Sequence, residues 1–335
     1  MSAILEDLHH PGIDPAGTMT AAVFTAPGRI ELRETPIPSP GPGQVLVRLE
    51  GCGICASNLP VWEGRPWFDY PLAPGAPGHE GWGRIAALGE GVQGLEVGER
   101  VAVLSYHAYA QYDVAGMDQV VKLPPELEVD AFPGEPLGCA MNIFARCEIR
   151  PGQTVAIVGS GFLGALLTQL ASRAGARVLA LSRRPYALEV ARACGAEAGI
   201  PIEDFQAAVT RVGELTGGQN CERVIEAAGL QTTLDLASSL TGERARLIIA
   251  GFHQDGLRQI NLQQWNWQGL DVINAHERDP AIYIRGIERA VEAIKAGQLD
   301  PQSLYTHQVG LEELPRAFEL MARRPEGFLK GLLIL

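Results

Sequence analysis

Cysteine, aromatic side chains and positive charge are all scarce in this chain of 335 residues. The six cysteines, Cys52, Cys55, Cys139, Cys147, Cys194 and Cys221, are scattered. That spacing excludes the dense disulfide framework of small secreted domains and fits a reducing compartment. Lysine and arginine total 27 against 39 acidic residues, a net charge of −12, so nucleic acid and anionic membranes would repel the chain. Apolar runs are short as well. The longest, from Thr154 to Ala171, falls below the roughly 20 residues of a membrane span, and Gly159, Gly161 and Gly164 interrupt it. Met1 to Pro11 carries Glu6 and Asp7 and lacks the basic-then-apolar order of a signal peptide. The expectation is a cytoplasmic protein that partners neither nucleic acid nor membrane.

What is present divides in two, as a chain too long for one ordinary core should. Beyond a loose leader, Met1 to Thr18, the text up to about Leu127 reads as short β-branched alternations. They are punctuated by Gly- and Pro-rich turns such as "SPGPGQ" and "APGAPGHEG". This predicts an all-β, barrel-like region. Near Arg150 the pattern becomes alternating strands and amphipathic helices, which predicts an α/β doubly wound parallel sheet. A long helix from Pro280 to Ala296 ends that series, and short strands and one helix make up the tail.

The segment "VAIVGSGFLG" places Gly159, Gly161 and Gly164 in the G-x-G-x-x-G pattern, directly after a predicted strand and opening a predicted helix. In that context the first glycine makes the tight turn, the second admits a pyrophosphate, and the third packs helix on strand. Phe162 and Leu163 open the helix beside the phosphates. The second strand ends in Ser182, Arg183 and Arg184, where a fold that prefers NAD offers a carboxylate to the ribose. Two planar guanidiniums suit a 2′-phosphate instead, so NADP is favoured over NAD.

A second constellation lies in "GCGICASN", in "GHEGWGRIAALGEGVQGLEVGERV" and in "EPLGCA". Soft thiolate, imidazole and carboxylate together describe a zinc site that keeps a position open for chemistry. These motifs, taken with "VAIVGSGFLG" in order and spacing, resemble the zinc-containing medium-chain dehydrogenase/reductase family, which includes alcohol, sorbitol and threonine dehydrogenases. The likeness covers nearly the whole chain after Thr20.

The resemblance implies a GroES-like catalytic domain, residues 1–150 completed by 298–335, and a Rossmann domain, 151–297, with the active site in the cleft. It implies one catalytic zinc, with Cys55 and His79 as ligands and Glu80 as the neighbouring carboxylate. The further ligand is open between Cys139, where alcohol dehydrogenases carry cysteine, and Glu135, where sorbitol-type members carry glutamate; Cys139 is slightly favoured. Ser57 matches the residue that passes the substrate proton outward. Asn58 replaces the aspartate that orients the zinc-bound histidine and is expected to accept from it without bringing charge. Pro60 replaces a relay histidine, which makes His107 a candidate for the proton's exit. The lobe that binds a structural zinc is missing, since no cysteine occurs between Gly81 and Asp130. Cys52 is read as structural. Relatives of this kind imply a homodimer or homotetramer.

The implied reaction is hydride transfer between a small-molecule alcohol or ketone and NAD(P). Trp62, Trp67, Phe68, Tyr70, Trp265 and Trp267 are candidate cleft residues, with the core or a subunit interface as the other place for them. If they line the cleft, the substrate is a polyol or a cyclic alcohol. The alternatives are a zinc-free NADPH-dependent quinone or enoyl-type reductase, which would lack the ligands named above, and a non-catalytic nucleotide-binding scaffold.

Overall fold

The computed structural model describes residues 17–335; the expected leader, as far as Ala16, lies outside them. The first strands, β1 (Thr18–Ala26) and β2 (Arg29–Pro36), pair as an antiparallel ribbon. β3 (Gln44–Ile54) follows and leads into the short helix α1 (Leu59–Glu63). β4 (Gly81–Leu88), β5 (Arg100–Val103), β6 (Tyr112–Gly116) and β7 (Val120–Lys122) complete the early β-rich part. β3 is its spine: Val45, Val47 and Leu49 enter a core shared with Ile85, Val101 and Phe318, and Leu46 between them is buried as well. The helix α2 (Gly134–Cys147) then crosses to the second sheet.

That second sheet is parallel and six-stranded, built from β8 (Thr154–Val158), β9 (Arg177–Ser182), β10 (Ala198–Pro201), β11 (Cys221–Glu226), β12 (Thr241–Ile249) and β13 (Asp271–Asn274). Between them run α3 (Phe162–Arg173), α4 (Pro185–Ala193), α5 (Phe205–Leu215), α6 (Gln231–Leu240) and α7 (Leu262–Gln268), and α8 (Pro280–Lys295) follows. The strand order β10-β9-β8-β11-β12-β13 reverses direction between β8 and β11. An open α/β sheet binds its ligand at such a switch point. The buried faces of β8 and β9 are continuous apolar runs, as a sheet covered on both sides requires.

β14 (His307–Val309), α9 (Leu314–Arg323) and β15 (Gly331–Ile334) return to the first sheet, where β15 pairs antiparallel with β3. That sheet has seven strands, in the order β14-β15-β3-β4-β5-β7 with β6 on β3. The chain thus leaves the β-rich part, builds the parallel sheet, and comes back to finish what it began. No helix among the described residues is long and apolar enough to cross a membrane.

Three helices are absent from the expectations: the five-residue α1, in the stretch read as all-β, and the longer α2 and α7. α2 begins "GEPLG", a start rich in Gly and Pro that masks the helical period behind it. α7 carries its apolar character in two tryptophans separated by one residue, a spacing that no single helix face collects. Of these, Trp265 is buried and Trp267 stands almost fully exposed.

Candidate functional site

Cys55 caps the turn that follows β3, and His79 and Glu80 precede β4. The two strands are neighbours, and the Gly53 amide donates to the Glu80 carbonyl at 3.0 Å. This pairing brings Cys55 Sγ, a ring nitrogen of His79 and a carboxylate oxygen of Glu80 within 4.8 Å of one another. Gly53 is obligatory here, because a Cβ at that position would sit 1.7 Å from Glu80 Oε2. Ser57 Oγ donates to Cys55 Sγ at 3.2 Å, so the residue expected to relay a proton touches the first candidate ligand.

His79 Nδ1 lies 2.9 Å from the Pro77 carbonyl oxygen. With the proton on Nδ1, that carbonyl fixes the ring and leaves Nε2 its lone pair. The expectation for Asn58 is corrected by this arrangement. Its amide donates to the Pro77 carbonyl at 3.2 Å and to the Tyr109 hydroxyl at 2.9 Å, and it does not bond His79. It steadies the acceptor of the histidine rather than serving as that acceptor.

Glu80 has no exposure, and Lys330 Nζ donates to its Oε2 at 2.5 Å and to the Ile54 carbonyl at 3.2 Å. Burial alone would lower the Lys330 pKa, but the charges of Glu80 and Cys55 raise it. The other carboxylate oxygen, Glu80 Oε1, is buried without a hydrogen-bond partner. An orphaned carboxylate oxygen beside a thiol and an imidazole is a donor set that a zinc ion fits. The charge balance points the same way. Burial would depress the His79 pKa, yet its hydrogen bond with Cys55 and the charges of Cys55, Glu135 and Glu80 carry it up to about 10.

α2 carries Glu135 and Cys139 one turn apart, and the Cys139 thiol donates to Glu135 Oε1 at 3.1 Å. Burial raises the pKa of both groups, and for Cys139 the Glu135 charge adds to the rise. Neither belongs to the tight Cys55–His79–Glu80 group, although Glu135 is close enough to act on the charge of His79. They are presented as one hydrogen-bonded pair rather than as two separate donors.

Gly159, at φ +108°, turns the chain from β8 into α3, and a Cβ on Gly164 would meet the Gly159 carbonyl oxygen at 2.1 Å. Opposite Gly161 there is open space: a Cβ built there meets no protein atom within 4 Å. That opening, at the N-terminus of a twelve-residue helix, fits the pyrophosphate of a dinucleotide. Phe162 stands at the start of α3 with the Lys330 ammonium 5.1 Å from its ring centre, so the Cys55–His79–Glu80 group and the glycine turn meet through these two side chains.

Across the switch point, Glu226 is fully buried at the end of β11. Its Oε1 accepts from the amides of Ala228 and Gly229 and from Thr233 Oγ1, and its Oε2 lies 2.9 Å from His253 Nε2. Arg258 Nε donates to His253 Nδ1 at 3.0 Å. Since a guanidinium can only donate, Nδ1 must accept and Nε2–H must donate to Glu226. A neutral histidine therefore pins the loop after β12 to the end of β11, beside the Gly159 turn.

Several of the candidate aromatic residues pack against the core. Trp62 stacks on Phe318 at 5.5 Å, Phe68 and Tyr70 pack against the same core, and Trp265 is buried with Nε1 donating to Ser238 Oγ. Their apolar area is better used there. His107 turns toward Asp113 and is half-exposed, with no hydrogen bond to Ser57 or His79. All six cysteines are free thiols; Cys52 is fully buried and donates to the Gly53 carbonyl. The residues that motif reading missed are Lys330, the Pro77 carbonyl and the Glu226–His253–Arg258 chain. For Lys330 a signal exists: it is the lone charge in "FLKGLLIL".

Comparison with known proteins agrees with this geometry. Residues 41–142 match the alcohol dehydrogenase GroES-like domain, and residues 163–291 match the zinc-binding dehydrogenase domain. An alcohol dehydrogenase of Rhizobium meliloti is 35% identical over 237 residues, covering 60% of this chain and 68% of that one. Erythritol/L-threitol dehydrogenase of Mycolicibacterium smegmatis is 28% identical, covering 92% and 95%. The solved alcohol dehydrogenase TADH of Thermus sp. ATN1 superposes with a TM-score of 0.80 at 26% identity, covering 94% of this chain and 99% of that one.

Proposed function

From the premise that the chain belongs to the zinc-type medium-chain dehydrogenase family, we propose that it transfers a hydride between a secondary alcohol and the nicotinamide of NADP or NAD. A polyol or a cyclic alcohol is the substrate class this reading favours. Its oxidised form is the corresponding ketone. The observation that carries the reading is the Cys55–His79–Glu80 group, joined through Lys330 and Phe162 to the glycine turn. Residues 151–297 serve as the cofactor domain and the remainder as the catalytic domain.

Cys55, His79 and Glu80 would hold the zinc, with the Glu135–Cys139 pair on α2 as the source of a further donor. When bound, zinc supplies a Lewis acid and the nicotinamide supplies the hydride acceptor. The rest falls to this chain's own side chains. Pro77, through its carbonyl, keeps the His79 ring in one orientation. Ser57, within hydrogen-bond reach of Cys55, takes the hydroxyl proton and passes it outward, since a hydroxyl both accepts and donates. Lys330 balances Glu80 so that the pocket does not carry an excess anion. Glu226, His253 and Arg258 hold the loop that borders the nicotinamide end of the crevice.

For the cofactor, Arg183 and Arg184 favour NADP, because the end of β9 offers the ribose no carboxylate. The polyol reading draws on the "EPLG" segment and on the likeness to an erythritol/L-threitol dehydrogenase.

Elemental analysis of purified, chelator-free protein is the first test. About one zinc per chain, lost in Cys55→Ala, is expected. Reduction of NADP and NAD is then followed with a panel of polyols and cyclic alcohols. Near-zero zinc after attempted reconstitution would overturn the reading and bring forward a zinc-free reductase.

A further inference from the structure

We propose that Arg324, from the returning tail, is the third guanidinium of the cofactor's anion site and selects for a phosphorylated ribose. The inference rests on the NADP reading of Arg183 and Arg184 and deepens it.

β9 ends at Ser182, and Arg183 and Arg184 follow before α4 begins. Arg184 is not free to serve a ligand with its whole fork, because its Nη1 donates to the Phe328 carbonyl at 2.6 Å. That bond docks the tail against the end of β9. Four residues earlier stands Arg324, just past the end of α9, in the left-handed region at φ 46° with its amide donating to the Leu320 carbonyl. Glycine is the usual occupant of such a position, since it lacks the Cβ that strains it. Here an arginine occupies it, four residues before the carbonyl that binds Arg184.

The three cations act on one another. Burial and the Arg324 charge lower the Arg184 pKa, and burial and the Arg183 charge lower that of Arg324. Elsewhere in the molecule arginines that crowd together carry acids: Arg84 and Arg100 share Glu50, and Arg246 bridges to Glu148 and Asp271. Among the described residues, no carboxylate forms an ion pair with Arg183, Arg184 or Arg324. The side-chain bonds of Arg184 and Arg324 run to backbone carbonyls of the tail.

An uncompensated group of like charges is unfavourable in the free protein and becomes favourable once an anion seats in it. A monoester phosphate carries about two negative charges and three acceptor oxygens, matched to forked donors arriving from more than one side. Arg183 follows β9 of the parallel sheet and Arg324 follows α9 of the tail. Arg184 holds the two pieces together. The site is therefore incomplete without the tail, although the glycine turn that takes the pyrophosphate is not.

The test is direct titration of NADPH and NADH, read by nucleotide fluorescence. Adenosine 2′,5′-bisphosphate and adenosine 5′-monophosphate serve as competing probes. For Arg324→Ala we expect NADPH and the bisphosphate to bind about 10–100-fold more weakly, the range for a hydrogen bond to a charged group. NADH and the monophosphate should change by no more than about twofold, and Arg324→Lys should recover part of the loss, since a point charge replaces the fork. Thermal denaturation of each variant accompanies the titrations. Arg324→Gln, which keeps a long polar stem, is the second variant should alanine fail to fold. Equal weakening of NADPH and NADH would overturn the proposal in favour of a purely structural arginine. An unchanged Arg324→Ala beside a weakened Arg183→Ala would overturn it and leave the NADP reading standing. A wild-type protein indifferent to the 2′-phosphate, with Arg183→Ala equally indifferent, would remove that reading and the inference with it.

Discussion

Lys330 and Glu80 form an ion pair of 2.5 Å with almost no exposure on either side, across 250 positions of sequence. Each is the counter-charge that makes the other tolerable inside the protein. Removing one partner strands the other, at a cost of about 3–5 kcal/mol for a buried pair. Lys330→Met should therefore lower the thermal midpoint markedly. The double variant Lys330→Met/Glu80→Gln should recover a good part of the loss, because no bare charge remains. Thermal denaturation of the three proteins checks this, and a double variant no better than the single one would contradict it.

Acid–base behaviour should distinguish the metal-free from the metal-loaded protein. Against the pull of burial, the Cys55 hydrogen bond and the charges of Cys55, Glu135 and Glu80 hold the His79 pKa in the metal-free chain at about 10, compared with 6.5 for an ordinary imidazole. A pKa raised in the folded state contributes stability that is fully present below the unfolded value and is lost as pH rises through the folded one. Chelator-treated protein should lose stability between about pH 6.5 and 10. In the zinc-loaded protein His79 is unprotonated throughout, and this dependence should vanish. Denaturation midpoints measured across that range, with and without zinc, decide the matter.

The pair on α2 makes a separable prediction. Because the Cys139 thiol donates to Glu135, Glu135→Gln removes a carboxylate from the surroundings of His79, while Cys139→Ala leaves that carboxylate in place. If Glu135 supplies the further donor, Glu135→Gln loses more zinc affinity than Cys139→Ala. If the thiolate does, the order reverses. Competition with a chromogenic chelator measures both.

At the glycine turn, Gly164→Ala places a methyl 2.1 Å from the Gly159 carbonyl oxygen. Backbone cannot swing aside as a flexible side chain would, so the turn itself must shift. We expect a loss of about 1–3 kcal/mol in stability, the usual cost of overpacking, together with weaker binding of NADPH and NADH alike. Equal effects on the two nucleotides mark a pyrophosphate role, in contrast to the 2′-phosphate role of Arg324.

His253→Ala should leave Glu226 Oε2 with no protein partner at a fully buried site. The expected penalty is about 1–3 kcal/mol, read by chemical denaturation. A neutral result would mean that solvent reaches Glu226 once the imidazole is gone.

The parts of this molecule legible in its sequence are those written in local period or local motif. Five of the six parallel strands appear as apolar runs, with the short β10, Ala-Gly-Ile-Pro, the exception; α8 appears as a long amphipathic stretch, and the glycine turn as a strand–turn–helix junction. Cys55, His79 and Glu80 could be paired from their motifs although they meet through the pairing of β3 with β4. The illegible parts are those that depend on a backbone atom or on a distant side chain. The acceptor of His79 is the carbonyl of Pro77, which no residue-type pattern reveals, and Asn58 was the natural but mistaken choice. Trp265 offers an aromatic face for a cleft in the sequence, yet it is buried with its Nε1 on Ser238. α2 was hidden by Gly134 and Pro136 at its start, since those residues are usually read as breakers.

The return of β15 to β3 carries a consequence for synthesis. A ribosome adds about 5–20 residues per second, so some 10–50 s separate the emergence of Glu80 from that of Lys330. In that interval the parallel sheet can assemble, while the catalytic sheet waits for its closing strand and its buried acid waits for a counter-ion. The nascent chain thus completes its parallel sheet before Glu80 can meet Lys330. Translation order makes the cofactor-binding half the template onto which the reactive half is later closed.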